Sequence, residues 1–267
     1  MTNKANKFNF DQDTEQLLFH KATPTILHDG AQFEGMALTI LQTEKIVNNQ
    51  EVSHVKPADI IAIHQMHLGA HYVSDHYQHF NFQNLKELHE ITGHGDAPNP
   101  GQLRTGKGGV NTTRGVFYPP EVNPGVAGET FNKLLTTTEL DAESKAAKIF
   151  CFLSRSQLFN DTNKRTALLA ANIPLLQQGA GVFYIPEIAM DTFLHMLGDY
   201  YYSDDDRLIV EVLKKIAISD FDGKTFYEPD HQTVAYAEMY EKMLKQFKGL
   251  GAKGLLGKEK YLELITK

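Results

Sequence analysis

Apolar residues recur at three- and four-residue spacing over residues 34–47 and again over residues 57–80, where Ile60, Ile63, His67 and Ala70 share one face. Both stretches predict helices. Between residues 92 and 128 the pattern changes. Gly93, Gly95, Pro98, Pro100 and Gly101 open a run of breakers that continues through Pro119 and Pro120 to Pro124 and Gly125, a density that excludes a long helix. Within it, residues 109–118 predict a short hairpin, with Val110, Val116 and Phe117 as strand positions around Asn111, Thr112, Thr113 and Arg114. Helical periodicity resumes at Ala142, runs to Leu158, breaks, and restarts at Asn163 for a helix over residues 163–178. Two further helices are expected over residues 186–218, separated by the acidic turn Ser203, Asp204, Asp205 and Asp206. The fold class is therefore mainly α with one small β-hairpin.

Beyond Ser219 the chain turns Lys-rich, and Gly249, Gly251, Gly254 and Gly257 interrupt its helical stretches. The expected organisation is an N-terminal segment over residues 1–24, a main domain over residues 25–220, and a partly helical extension over residues 221–267. No internal repeat or low-complexity segment is present.

Composition narrows the function classes. A chain of 267 residues with 42% hydrophobic content can bury a substantial core. Its net charge of -7 argues against general nucleic-acid or anionic-membrane binding, both of which need a basic surface. Cys151, the single cysteine, lies in the apolar run from Ile149 to Leu153 and reads as core filler, with no partner for an internal disulfide. No apolar leader follows Met1, and no run approaches a membrane span, so a cytoplasmic location is the expectation.

The stretch richest in chemistry is Gln157-Leu158-Phe159-Asn160-Asp161-Thr162-Asn163-Lys164-Arg165-Thr166-Ala167-Leu168. An apolar helix ends, a polar turn follows, and a second helix starts with two bases in its first turn. Unpaired N–H groups already make a helix N-terminus positive, so Lys164 and Arg165 make its natural complement an anion such as phosphate. Asp161 is a suitable ligand for Mg²⁺, which takes one or two carboxylates together with substrate phosphates. On the residues alone, a capped helix with two solvated bases remains the commoner alternative.

Phe159 to Arg165 resembles the Fic signature His-x-Phe-x-(Asp/Glu)-(Gly/Ala)-Asn-(Gly/Lys)-Arg, and its Asn163-Lys164-Arg165 is close to the Doc branch. Gly101-Gln102-Leu103-Arg104 resembles the Gly-x-x-Arg step before the family's flap, and Tyr118-Pro119-Pro120 the segment after it. The resemblance covers about residues 25–220. It implies a helical Fic (Fido) fold with a hairpin flap, and a protein adenylyltransferase-like function using ATP and Mg²⁺. By this likeness Asp161 holds Mg²⁺, and Thr162, Asn163, Lys164 and Arg165 hold the nucleotide phosphates. The flap residues Val110, Asn111, Thr112 and Thr113 dock a protein substrate by strand addition and present its Ser, Thr or Tyr hydroxyl. Family members often dimerise, so a homodimer is one expected assembly. The catalytic position is occupied by Gln157 where the family has histidine, and an amide is no base at neutral pH. Impaired transfer, an inactive nucleotide- or protein-binding pseudoenzyme, a Doc-like phosphotransferase and an engineered substitution at Gln157 all remain open.

Residues 30–39 resemble the family's autoinhibitory helix, which carries a Ser/Thr-x-x-x-Glu-(Gly/Asn) pattern, with Glu34 in the glutamate position and Gly30 in place of the hydroxyl residue. The second arginine that such a glutamate pairs with corresponds to Leu168. Glu34 is then a relic, an acid at a helix N-terminus, or an inhibitor that pairs with Arg165 instead.

Two lookalikes fail on chemistry. Residues 101–108 nearly spell a P-loop, but Gly108 has no hydroxyl for Mg²⁺ and no apolar strand precedes it. His64, His67 and His71 share one helical face, a Zn²⁺-compatible pattern for which surface histidines are the commoner reading, while His89 and His94 miss the His-Glu-x-x-His spacing. Tyr200, Tyr201 and Tyr202 read as a packed helix end.

Overall fold

The structure, a computed structural model, describes residues 6–221. Four helices, α1 (Gln12–Phe33), α2 (Ile40–Val47), α3 (Pro57–His76) and α4 (Phe82–Thr92), precede a hairpin of β1 (Val110–Thr112) and β2 (Gly115–Phe117). Then come α5 (Pro124–Thr136), α6 (Ala142–Ser156), α7 (Asn163–Ala170), α8 (Ile173–Gln178), β3 (Val182–Phe183), α9 (Met190–Ser203), α10 (Arg207–Ile216) and β4 (Ile218–Ser219). The mainly α class is as expected. The extension expected over residues 221–267 lies outside the described residues apart from Phe221.

The α6–α7 pair forms the centre. Asp141 caps α6 by accepting from the Ser144 N–H at 2.7 Å, and Ala142, Ala146 and Ala147 are small enough to let neighbouring helices approach. Phe150 projects into a cluster of Phe33, Phe183 and Phe193, with ring centroids 5.4–6.0 Å away. Each such buried ring contributes about 1.5–3 kcal/mol of burial free energy. Cys151 is fully buried, and desolvation pushes its thiol well above the usual range, which fits a packing role. Helix α1 packs on α2, α3, α7 and α8, while α4 bridges α3 and α7.

Several local expectations are corrected. The helix expected over residues 34–47 is shorter: α1 ends at Phe33, Gly35 turns with φ +66°, and α2 starts only at Ile40, behind a capping box in which Thr39 and Gln42 exchange hydrogen bonds. Helix α1 runs unbroken across the boundary expected between residues 24 and 25, so residues 12–24 are continuous with the helix that follows. The helix expected over residues 163–178 breaks between α7 and α8, where Pro174 can donate no N–H. There the buried Asn172 amide donates to the Leu168 and Phe183 carbonyls and accepts from the Phe183 N–H. A second two-stranded pair, β3 with β4, joins the single hairpin expected.

The expected hairpin is present, with Val110 opposite Phe117 and Thr112 opposite Gly115. Phe117 anchors it, buried against Tyr201 and under the Arg155 guanidinium. Arg114 at the turn forms an ion pair with Asp199 of α9. Tyr200 and Tyr201 are buried at the end of α9 and Tyr202 is exposed, as a packed helix end requires.

Candidate functional site

The polar turn joining α6 to α7 is held by left-handed residues at both ends. Gln157 has φ 46° and Thr162 φ 53°, a region that costs about 1–2 kcal/mol for a residue with a Cβ. Specific bonds hold this geometry. The Gln157 amide donates to the Ser154 carbonyl at 2.6 Å and accepts from Asn163 Nδ2 at 3.1 Å. Asn163 accepts from the Phe159 N–H and donates to the Phe159 carbonyl, both at 2.9 Å, so its side chain closes the turn on itself.

Three further residues, one of them within the turn, brace it. Phe159 is buried with its ring stacked on His89 of α4, centroids 3.7 Å apart and planes within 7°. His89 Nδ1 accepts from the Gly101 N–H at 2.9 Å, which leaves Nε2 as the proton carrier. From there it reaches the Asp161 carbonyl at 3.0 Å and the Thr162 hydroxyl at 2.9 Å. Burial pushes the His89 pKa down to about 4, so the ring stays neutral in the fold. Arg104 supplies the third brace. Its Nε donates to the Gln157 carbonyl at 3.0 Å, its Nη2 to the Pro120 carbonyl at 2.8 Å, and its own N–H to the Leu158 carbonyl. The flap base and the turn are thereby one rigid unit.

Helix α7 begins in this frame with no side-chain cap on its N-terminus. Lys164 donates to the Phe33 carbonyl at 2.7 Å, satisfying the end of α1, and lies 3.8 Å from Glu34 Oε1. Arg165 is buried, donates from Nη1 to Asp96 Oδ2 at 2.8 Å, and keeps an Nε that has no hydrogen-bond partner among the described residues. That Nε lies 4.0 Å from Glu34 Oε1. Asp161 is exposed, with Oδ1 accepting from the Thr162 N–H at 2.6 Å.

Glu34 sits at the C-cap of α1, so its reading as a helix N-terminal acid is corrected: at this end the helix dipole disfavours a carboxylate, and the two cations of α7 offset that cost. Leu168 is fully buried and offers no cation. A Cβ at Gly30 would lie 2.2 Å from Met66 Cε, so the hydroxyl residue of the inhibitory pattern would fit only if that flexible side chain shifted.

Beside the turn, a cleft of about 360 Å³ is bounded by Val110, Asn111, Thr112 and Thr113 of the flap, by Leu194, Leu197, Gly198 and Tyr201 of α9, and by Phe33 and Lys164. The structure thus brings the expected docking residues and Lys164 to one cleft. Gln157, Asp161, Thr162, Asn163 and Arg165 are gathered in the adjoining turn and do not line it. Sequence reasoning missed His89 and Asp96, which had no local signal: both act across more than 60 residues of chain.

Comparison with known proteins agrees with this layout. The Fic/DOC family model matches residues 54–175. No curated protein sequence matches the chain. Among solved structures, a Fic family protein from Desulfovibrio desulfuricans G20 superposes with a TM-score of 0.62 at 15% identity, over 74% of this chain and 63% of that one. A Fic domain containing signaling protein from Bacteroides thetaiotaomicron gives a TM-score of 0.67 at 16% identity, over 88% and 91% of the two chains. Fic-1 from C. elegans gives 0.62 at 16%, over 89% and 68%. The chain spans just under two thirds of the first of these relatives, and the identities speak for the fold alone. The family match over residues 54–175 and the shared architecture together give this chain the fold of Fic proteins, with residues 54–175 similar to the Fic/DOC family.

Proposed function

We propose that this chain binds ATP with Mg²⁺ at the turn 157–165 and holds it beside a protein hydroxyl docked along the flap, as a protein adenylyltransferase-like enzyme weakened by Gln157. The observation that carries this reading is the N-terminus of α7, which has no side-chain cap, beside the buried Nε of Arg165, which has no hydrogen-bond partner among the described residues. Free N–H groups and a desolvated guanidinium form a donor set suited to phosphate oxygens. Asp161 is exposed at the same turn and is the carboxylate suited to Mg²⁺. ATP and Mg²⁺ would supply the electrophilic phosphorus and its charge neutralisation.

The chain's own residues would do the rest. The N–H groups of residues 163–165 orient the phosphates, while the Asn163 side chain keeps the turn in shape and the Thr162 N–H holds Asp161. Val110, Asn111 and Thr112 of β1, partly exposed, together with Thr113 at the turn offer a short strand edge to an extended substrate segment. No residue at position 157 accepts the hydroxyl proton, since both ends of the Gln157 amide are engaged within the turn. That same engagement favours a second reading, a nucleotide-binding module without transfer. Glu34, close to Lys164 and Arg165, supports a brake on phosphate entry with these two cations in place of the missing second arginine. Among the described residues no helix is long and apolar enough to cross a membrane.

Soaking crystals in Mg²⁺ and ATP tests the placement. Density for phosphate within hydrogen-bond distance of the N–H groups of residues 163–165 is expected. Ordered nucleotide elsewhere, or none at saturating concentration, would contradict it.

A further inference from the structure

The histidines of α1 and α3 form a group that the turn does not use. His67 and His71 stand one helical turn apart, with Nε2 atoms 3.1 Å apart and ring centroids 4.5 Å apart. Across the seam, the His20 ring of α1 lies 6.1 Å from His71, with its Nε2 3.4 Å from the Ser74 hydroxyl. All three border one recess of about 160 Å³, which is open to solvent and also touches Thr23, Pro24 and Asn48. Pro24 lies inside α1 and has no N–H, so the His20 carbonyl loses its helical partner and the helix is loosened at the recess.

Two neutral imidazoles this close share a single proton, one ring donating and the other accepting. Their separation is near the roughly 3.3 Å between two ligand nitrogens on a tetrahedral ion at 2.0–2.1 Å. A divalent ion can therefore take that place with little motion of either ring, the donor ring's proton moving by way of solvent to its own Nδ1 so that both rings stay neutral.

We propose that His67 and His71 form a site for a divalent transition-metal ion of the zinc type, with His20 turning from Ser74 to become the third ligand and water completing the shell. As the structure stands, no three His, Cys, Asp or Glu side chains among the described residues hold a metal-binding arrangement. The site is a two-histidine clamp that the third residue closes. Imidazole ligands select zinc-like ions over Mg²⁺, so this site and the carboxylate at Asp161 differ in chemistry. The bound ion would staple α1 to α3 beside Pro24.

Calorimetric titration of the full chain with zinc chloride, in a non-chelating buffer at neutral pH with excess Mg²⁺, tests the site, with thermal melting read alongside. One ion per chain is expected, with a rise in Tm. His71→Ala should weaken binding at least about tenfold, since even the loss of an outer-shell partner costs that much, and should abolish the rise in Tm. His71 is exposed, so an unchanged far-ultraviolet circular dichroism spectrum is expected and checks that the variant folds. No saturable binding, or binding unchanged in both His67→Ala and His71→Ala, would overturn the site. Undiminished affinity in His20→Ala would overturn its role as third ligand.

Discussion

Arg165 Nη1 meets Asp96 Oδ2 at 2.8 Å, although the two residues lie far apart in the chain and only the packing of α4 against α7 brings them together. The guanidinium is therefore already aimed and partly neutralised before any anion arrives. Glu34, 4.0 Å from its Nε, adds a second carboxylate. An incoming phosphate has to compete with both.

Removing that competition should tighten nucleotide binding. Asp96→Asn keeps a hydrogen-bond acceptor for Arg165 but drops the charge, and Glu34→Ala removes the second carboxylate. Both carboxylates are partly exposed, so each change should raise Mg²⁺-ATP affinity modestly, by about two- to fivefold, as for ion pairs of up to about 1 kcal/mol. Weaker binding in Glu34→Ala, measured by fluorescence titration, would mean that Glu34 supports the site and does not block it.

Gln157→His should restore or raise group transfer. Histidine is among the residues found several-fold more often at positive φ, so it suits the left-handed cap at position 157. It also supplies a base that titrates near neutrality. Transfer from labelled ATP to lysate proteins should rise by about 10²-fold or more. A variant that binds Mg²⁺-ATP normally yet modifies neither lysate proteins nor a purified candidate target would identify the chain as a binding module.

His89 should make the fold acid-sensitive. Its pKa is about 4 in the fold, below the ordinary 6.5, so the folded state binds fewer protons than the unfolded chain between those values. The stability it contributes is complete above pH 6.5 and is lost as the pH falls through about 4. His89→Ala should cost about 3 kcal/mol near neutrality, from the lost stack on Phe159 and three lost hydrogen-bond contacts. Urea melts of the two proteins across this window should converge towards acid. A constant gap between them would rule out His89 as the titrating group.

Glu15 should act in the opposite direction. It is buried on α1 with Oε2 accepting from the Gly181 N–H at 3.2 Å, and desolvation raises its pKa from 4.5 to about 7. Its contribution is complete below pH 4.5 and is lost as the pH rises through about 7. Glu15→Gln retains the acceptor and cannot ionise, so it should stabilise the chain at about pH 8 and have little effect in acid. Equal shifts at both extremes would show that ionisation of Glu15 is not the cause.

How far the sequence could be read follows from how local each feature is. The hairpin over residues 110–117 is written in its own turn residues, and the α6 turn at Gln157 is marked by the change from apolar to polar positions. Helix α1 was illegible for the opposite reason. Its buried face carries Glu15, His28 and Asp29, and Pro24 and Gly30 interrupt it, so no clean apolar stripe appears. Asp29 is tolerated because its carboxylate accepts from the Ile185 N–H, a partner 156 residues away. The site divides in the same way. Asp161 to Arg165 stand out as a contiguous motif, whereas the His89 stack and the Asp96 pair exist only once α4 lies against α7.

The most direct test of the central claim is calorimetric titration of the chain and of Arg165→Gln with ATP and Mg²⁺. Glutamine has similar reach and still offers a donor, and it avoids placing a third carboxylate beside Asp96 and Glu34. The account predicts saturable binding to the parent chain and at least about tenfold weaker binding to the variant, because hydrogen bonds to a charged group contribute about 1.5–3 kcal/mol. Unchanged affinity in a variant with the same circular dichroism spectrum would contradict it and move the nucleotide away from the N-terminus of α7.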